Sequence, residues 1–319
     1  MKRRTMLQLS ILGIPGLALL NKGYVMNNVY DVAIIGGGPA GLTAALALGR
    51  IGRSVIIFDE NKGRNFPAHH MMNFPSRDGT PPREFKEQII KDLRKYSEIT
   101  FRQEKVNVIR KNDGQFTINN HFEAKKILLA HGIKDILPEI PGIKELWGKA
   151  VFHCPYCHGH EFKRQKLGVM ESDPKYLFHM APLLLSLSGD VTIFTNGSRL
   201  ELPPLLLEKV KVITAQVKKL NYYGEQLISL ETETGEVKLD GLVIKPPQEL
   251  TTDMGIKLGC ELQENGLYKT DGEGQTSVPG VYAAGDIVDQ RQAVILSCAS
   301  GMRAAASISF SLVTNFLHP

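Results

Sequence analysis

Short apolar runs separated by turn clusters dominate the chain, and most of them do not alternate with polar residues. Residues 31–35 (DVAII) are β-branched and lead straight into Gly36-Gly37-Gly38-Pro39-Ala40-Gly41. Residues 42–51 are rich in Ala and Leu, and residues 54–58 (SVIIF) form a second β-branched run ending at Asp59. Unbroken apolar runs of this length fit strands buried on both faces of a parallel sheet. Strand, glycine turn, helix, strand is the order of a βαβ unit. A second such unit is predicted from a strand at 167–170, a helix over about 176–187 and a strand at 191–194. Residues 100–129 and 212–244 read as short strands. Residues 83–96 and 293–314 read as helices, and 281–284 as a strand. Residues 61–82, rich in His, Asn, Pro and Gly, form a long loop, and loops of that length usually bind something. The cluster PEIPG at 138–142 is a predicted hinge. The predicted fold class is therefore α/β, with two Rossmann-like three-layer halves.

The first glycine turn carries a chemical expectation. Gly36-x-Gly38-x-x-Gly41 follows a strand and opens a helix, the arrangement that binds the pyrophosphate of a dinucleotide. Gly36 allows the tight turn, Gly38 admits the pyrophosphate to the backbone, and Gly41 lets helix and strand pack closely. Pro39 and Ala40 complete the turn, and the free N–H groups of the helix start attract the anion. Asp59 stands 18 residues after Gly41, at the end of the second strand, where an acid binds ribose hydroxyls. A second candidate site lies near the end of the chain. Gly285-Asp286 follows an apolar strand, so Asp286 is placed to hold a polyol chain. Gln292 and Ala293 open the last helix, whose positive end suits the charge of a reduced flavin.

Four cysteines are too few for a disulfide scaffold in 319 residues. Cys260 and Cys298 lie among apolar or small neighbours and read as buried structural thiols. Cys154-Pro155-Tyr156-Cys157-His158 differs from these. CxxC spacing closes a small redox ring and favours thiolate, and His158 is placed to exchange the thiol proton. The same letters admit a c-type haem attachment, a zinc site with His153 and His160, and the CPYC tetrapeptide of glutaredoxins. Zinc lacks a second ligand pair at closed spacing, haem lacks a suitable helical fold, and a glutaredoxin is far shorter.

Net charge +5 and a pI of about 8.9 come without a basic run interleaved with aromatics, so no nucleic-acid partner is expected. The N-terminus reads MKRR, with Arg3-Arg4 followed by an uncharged stretch over 6–20. That stretch is too short for a comfortable span and suits a signal segment of twin-arginine type over residues 1–25. Export to the periplasm is the expectation. A start at Met26 would instead leave the protein in the cytoplasm.

In this order and spacing the three motifs resemble the low-molecular-weight thioredoxin reductases, a class of pyridine nucleotide-disulfide oxidoreductases, over about residues 29–319. The resemblance implies a split FAD domain, at 26–143 and 247–319, with a smaller NAD(P)-type domain carrying the CxxC inserted at 144–246. It implies that Gly36, Gly38, Gly41 and Asp59 hold the ADP half of FAD. Asp286 would hold the ribityl chain, and Gln292-Ala293 the flavin ring. Cys157 would face the flavin and Cys154 would exchange with substrate; His158 replaces the family's acid/base aspartate. It also implies a homodimer. The stretches FDENKGRNFPAHHMMNFPSRDGTPP and FHCPYCHGHE are similar to a bacterial branch close to the dithiol oxidases of gliotoxin- and holomycin-type metabolites. That likeness puts Arg64 and Asn65 beside the cofactor, with His69 and His70 as weaker candidates.

One stretch departs from the family. Where a second GxGxxA/G should bind NAD(P)H, residues 167–174 read LGVMESDP, with one glycine and two acids at the place of the pyrophosphate. NAD(P)H binding is therefore not expected. The resulting expectation is an FAD-dependent oxidase of small dithiols or of a thioredoxin-like protein, with oxygen or another acceptor taking the electrons. An NAD(P)H-dependent disulfide reductase and a non-catalytic flavin-binding redox sensor are the alternatives.

Overall fold

The computed structural model describes residues 29–199 and 201–317, and the expected signal segment at 1–25 lies outside the described residues. Two parallel-cored sheets organise the chain. The larger contains β1 (Tyr30–Ile35), β2 (Val55–Phe58), β3 (Ile99–Arg102), β4 (Ile109–Asn112), β5 (Gln115–Ile118), β6 (Phe122–Leu129) and β17 (Val281–Ala283). Its order is β3-β2-β1-β6-β5-β4, with β17 added against β6. Strands β1, β2, β3, β6 and β17 are parallel, and β4–β5–β6 is an antiparallel meander. The smaller sheet runs β11 (Lys211–Ile213), β10 (Val191–Phe194), β9 (Leu167–Met170), β15 (Gly241–Ile244), β8 (Val151–Phe152), all parallel. A three-stranded antiparallel sheet of β12 (Val217–Tyr223), β13 (Gln226–Thr232) and β14 (Gly235–Lys238) flanks it. A two-stranded ribbon, β7 (Ile133–Asp135) with β16 (Gln248–Leu250), completes the set.

The apolar runs explain the sheets. Strands β2, β9, β10 and β15 are buried at every position, because both faces are covered: the smaller sheet packs Leu177, Ala181 and Leu184 on one face and Val217, Leu220, Leu227 and Leu230 of β12–β13 on the other. Ile34 and Ile57 face one core, shared with α1 (Pro39–Arg50), and Ala33 and Ile56 face the other. The predicted first helix begins three residues early because Pro39, with its fixed φ and no N–H, fits the first turn. For the same reason α2 is Pro82–Leu93 and α5 is Pro174–Leu187. The short helices are α3 (Ile143–Leu146), α4 (Pro155–His158), α6 (Pro204–Leu207) and α7 (Met254–Lys257). The last helix, α8 (Val294–Leu317), has the length and apolarity of a membrane span over Val294–Thr314. Its Ala304, Ala305 and Ile308 are buried in one cluster with Ala40, Ala44 and Leu48 of α1.

Candidate functional site

At the first glycine turn Gly36 adopts φ +114°, and a Cβ there would lie 2.2 Å from the Ala130 carbonyl oxygen. Only glycine fits this turn. A Cβ on Gly41 would lie 2.0 Å from the Gly36 oxygen, which is how α1 closes on β1. Gly38, the N-cap, faces open space, and no side chain caps the helix. The backbone donors at the start of α1 are thus left to an anion, and these residues fit a dinucleotide pyrophosphate. Asp59 stands beside the turn: Gly37 N donates to its Oδ1 at 3.2 Å. Its other oxygen is taken by Lys86, which also donates to Asn61 Oδ1 at 3.1 Å. A cavity of about 160 Å³ opens here, bounded by Asp59, Phe66, Arg83 and Lys86. The sequence had singled out the acid but not its lysine.

The start of α5 is built in the opposite way. Glu171 Oε1 accepts from Ser172 N at 2.7 Å and from Asp173 N at 3.1 Å. Asp173 caps the helix by accepting from Lys175 N at 2.9 Å, and Pro174 has no N–H to offer. The chain's own carboxylates occupy the anion position. These residues do not fit the pyrophosphate of NAD(P)H.

Asp286 lies near the start of α8. Gly285 holds φ +84° and its N–H donates to Ser300 Oγ at 3.1 Å. Ser297 Oγ donates to Asp286 Oδ1 at 2.8 Å, and Arg64 Nη1 to Oδ2 at 3.3 Å. Burial pushes the Asp286 carboxyl above its ordinary pKa, although Arg64 and Ser297 pull the other way. The structure thus brings Arg64 and Asp286, 222 positions apart, together. Arg64 gives two further hydrogen bonds, at 2.8 and 2.7 Å, to Asp135 at the end of β7. Burial alone would raise the Asp135 pKa; the Arg64 hydrogen bonds and charge, with Gln248, overcome this and hold it below the carboxylate range. Gln292 exchanges a reciprocal amide pair with Gln248, at 2.9 and 2.6 Å. Asn65 contributes its carbonyl to a turn with Ala68 N at 3.1 Å. Ala293 accepts from Ser297 N at 2.9 Å in the first turn of α8.

Cys154 and Cys157 form a disulfide across the single turn of α4, with Cα atoms 5.3 Å apart. Pairing commits both sulfurs, and among the described residues no cluster of three or more His, Cys, Asp or Glu gathers as a metal site. Tyr156, between the cysteines in the chain, is 72% exposed, and both cysteines are half-buried. His158 stacks on Phe152 at 5.5 Å, which in turn stacks on Phe162 at 5.4 Å. Both His158 ring nitrogens are shielded from solvent without a hydrogen-bond partner. Burial lowers its pKa; Glu161 and the nearby Gly148 backbone, outside hydrogen-bonding geometry, raise it less. His153 packs on Trp147 at 5.8 Å. Its pKa falls to about 4 through burial first and the Arg64 charge second, opposed by Asp135. His69 lies on the long loop as expected, with Nε2 2.5 Å from Glu225 at the β12–β13 turn, and it does not approach Asp286 or Arg64 by any hydrogen bond. His70 is exposed beside it.

The free cysteines divide. Cys260 is buried, with Sγ 3.4 Å from Thr276 Oγ1. Cys298, expected to be buried, is half-buried, because α8 carries it to the rim of the glycine turn, 3.8 Å from the Pro39 carbonyl oxygen. Lys86, Asp135, Gln248 and Ser297 are site residues that sequence reading missed, and His153 was weighed there only as a zinc ligand. Asp135 and Gln248 gave no motif signal, since each belongs to a three-residue strand that only the fold pairs.

Comparison with known proteins agrees with this geometry. The pattern of the pyridine nucleotide-disulphide oxidoreductases matches residues 30–170 and 205–305. Thioredoxin reductase sirT of Leptosphaeria maculans is 32% identical over 313 residues, covering 89% of this chain and 94% of that protein. The solved structure of HlmI is 34% identical with a TM-score of 0.83, covering 91% of this chain and 94% of HlmI. An oxidoreductase from Agrobacterium tumefaciens is 33% identical with a TM-score of 0.81, covering 90% and 99%.

Proposed function

This chain belongs to the pyridine nucleotide-disulphide oxidoreductase family, and within it we propose an FAD-dependent dithiol oxidase working through Cys154 and Cys157. The observation that carries this reading is the contrast between two helix starts. The start of α1 is open to an anion, whereas the start of α5 is filled by Glu171 and Asp173. One dinucleotide fits and the second does not, so the electrons enter from a thiol rather than from NAD(P)H.

Gly36, Gly38, Pro39, Ala40, Gly41 and Asp59 would hold the ADP half of FAD. Asn65, Gly285, Asp286, Gln292 and Ala293 would hold its flavin half, with Arg64 beside it on Asp135 and Asp286. A substrate thiolate attacks Cys154 Sγ, forms a mixed disulfide and releases Cys157 as thiolate. The second substrate thiolate attacks the substrate sulfur of that mixed disulfide, closes the product disulfide and releases Cys154. His158, next in the chain to Cys157, holds or releases the proton of that thiol. Bound FAD would take the two electrons of the reduced pair and pass them to oxygen or another acceptor. The substrate is a small dithiol or a thioredoxin-like protein, and the enzyme is an exported homodimer. The exposed apolar side chains Ile295, Met302, Phe310 and Val313 of α8 support the dimer, and sedimentation of the purified protein tests it. Tagging the full-length chain and fractionating cells tests export.

The decisive experiment is anaerobic mixing of the holoenzyme with a dithiol, with NADPH and with NADH while the visible flavin band is followed. Bleaching by the dithiol alone is expected. The names of the relatives favour a second reading, an NAD(P)H-driven disulfide reductase, and rapid bleaching by NADPH would establish it instead. A Cys157→Ser variant that turned over dithiols normally would remove the disulfide from the mechanism, whereas abolished turnover would count against a non-catalytic flavin-binding redox sensor.

A further inference from the structure

Four distant chain segments join in one side-chain network around Asp135. Arg64 comes from the long loop after β2, Asp135 from the end of β7, Gln248 from β16 and Gln292 from just ahead of α8. The β7–β16 ladder puts Gln248 directly opposite Asp135, so both side chains project to the same face. Gln248 Nε2 reaches Asp135 Oδ1 at 3.0 Å and is shared with Gln292. The Asp135 side chain is only 5% exposed and that of Arg64 18%. No motif covers Asp135, and the exchange chemistry at the disulfide does not use it.

We propose that Asp135 is the positioning residue of this centre. Its carboxylate holds the Arg64 guanidinium in place beside Asp286 and, through Gln248, holds Gln292 at the entrance to α8. The argument is one of competition for donors. A guanidinium has five N–H donors and no acceptor, and a carboxylate binds it best through two parallel bonds. Asp135 takes Nε and Nη2 in that manner, leaving a longer single contact from Nη1 to Asp286. Asp286 therefore keeps acceptor capacity for the hydroxyls of a polyol chain. Without Asp135 the nearest remaining carboxylate for Arg64 is Asp286, and a bidentate pair there would use the acceptors that the ligand needs. The ladder partner Gln248 would at the same time lose the anchor that orients it toward Gln292.

This inference rests on the flavin reading of the site, and the test separates the two. FAD affinity is measured by flavin fluorescence on titrating FAD into deflavinated protein, for the wild type, Asp135→Asn, Arg64→Gln/Asp135→Asn and Gln248→Ala. Asp135→Asn is expected to raise the Kd on the order of tenfold, as for loss of one charge-assisted pair. The double variant should bind more tightly than Asp135→Asn alone, because the competing guanidinium is gone. A side chain that merely supported the fold would show no such rescue. Gln248 is exposed, so Gln248→Ala should fold normally and still weaken binding severalfold. It carries the test together with the charge-neutral double variant if Asp135→Asn fails to fold. Wild-type affinity in Asp135→Asn, or a double variant no better than the single, would overturn the role of Asp135. A wild type that bound no FAD would overturn the flavin reading itself.

Discussion

His131 offers a pH test of the fold worked from one side chain. It follows β6, and its Nδ1 lies 3.0 Å from both the Gly132 carbonyl oxygen and Thr251 Oγ1. Its Nε2 is shielded and partnerless against the edge-on ring of Tyr268, 5.9 Å away. Burial lowers its pKa to about 4, and the Gly132 hydrogen bond opposes this only in part. The unfolded chain titrates this histidine near 6.5. Between those two values the unfolded state binds a proton that the folded state refuses. Stability is therefore lost as pH falls through 6.5, and the loss levels off below about 4. At roughly 1.4 kcal/mol per unit, the full loss is about 3 kcal/mol, and about 2 kcal/mol of it falls between pH 7 and pH 5. Urea unfolding of the holoenzyme at these two pH values, in the wild type and in His131→Gln, isolates the effect, because every other group cancels in the difference. The variant should lose about 2 kcal/mol less than the wild type on acidification. Equal losses would refute the claim that His131 is held neutral by burial.

Gly36→Ala should abolish FAD retention and destabilise the fold by at least about 3 kcal/mol, since its Cβ meets backbone rather than a movable side chain; thermal unfolding and flavin absorbance of the purified variant check this. Phe152→Leu should cost about 1–2 kcal/mol of stability and admit water to His158. Burial is the largest cause of that histidine's lowered pKa, so hydration should move its pKa up and shift the acid limb of the dithiol-oxidation rate profile to higher pH; an unmoved limb would mean another group controls it. Glu171→Gln removes one charge but keeps an acceptor for Ser172 N and Asp173 N, so NADPH should still fail to bleach the flavin; anaerobic stopped-flow mixing reads this directly.

The sequence by itself determined the local elements whose causes are local. The apolar runs at 32–35 and 55–58 have no polar face to expose, which fits strands buried on both faces. The GxGxxG spacing demanded a turn that β-carbons would block, and Cys154 and Cys157 lie close enough in the chain for one helical turn to bring them together. The acids at 171 and 173 also declared themselves, because a carboxylate at a helix start satisfies the same donors as a phosphate. Tertiary structure decided what depends on distant segments meeting. Lys86 neutralises Asp59 from across 27 positions, and α8 rather than local sequence sets the half-exposure of Cys298. The β7–β16 ribbon makes neighbours of Asp135 and Gln248, which lie 113 positions apart. Three-residue strands carry too little periodicity to be read, and an ion pair has no signature in the spacing of its members. Arg64 was legible as a residue near the cofactor, but its partner was not: which carboxylate a guanidinium chooses is settled by burial and approach in the folded chain.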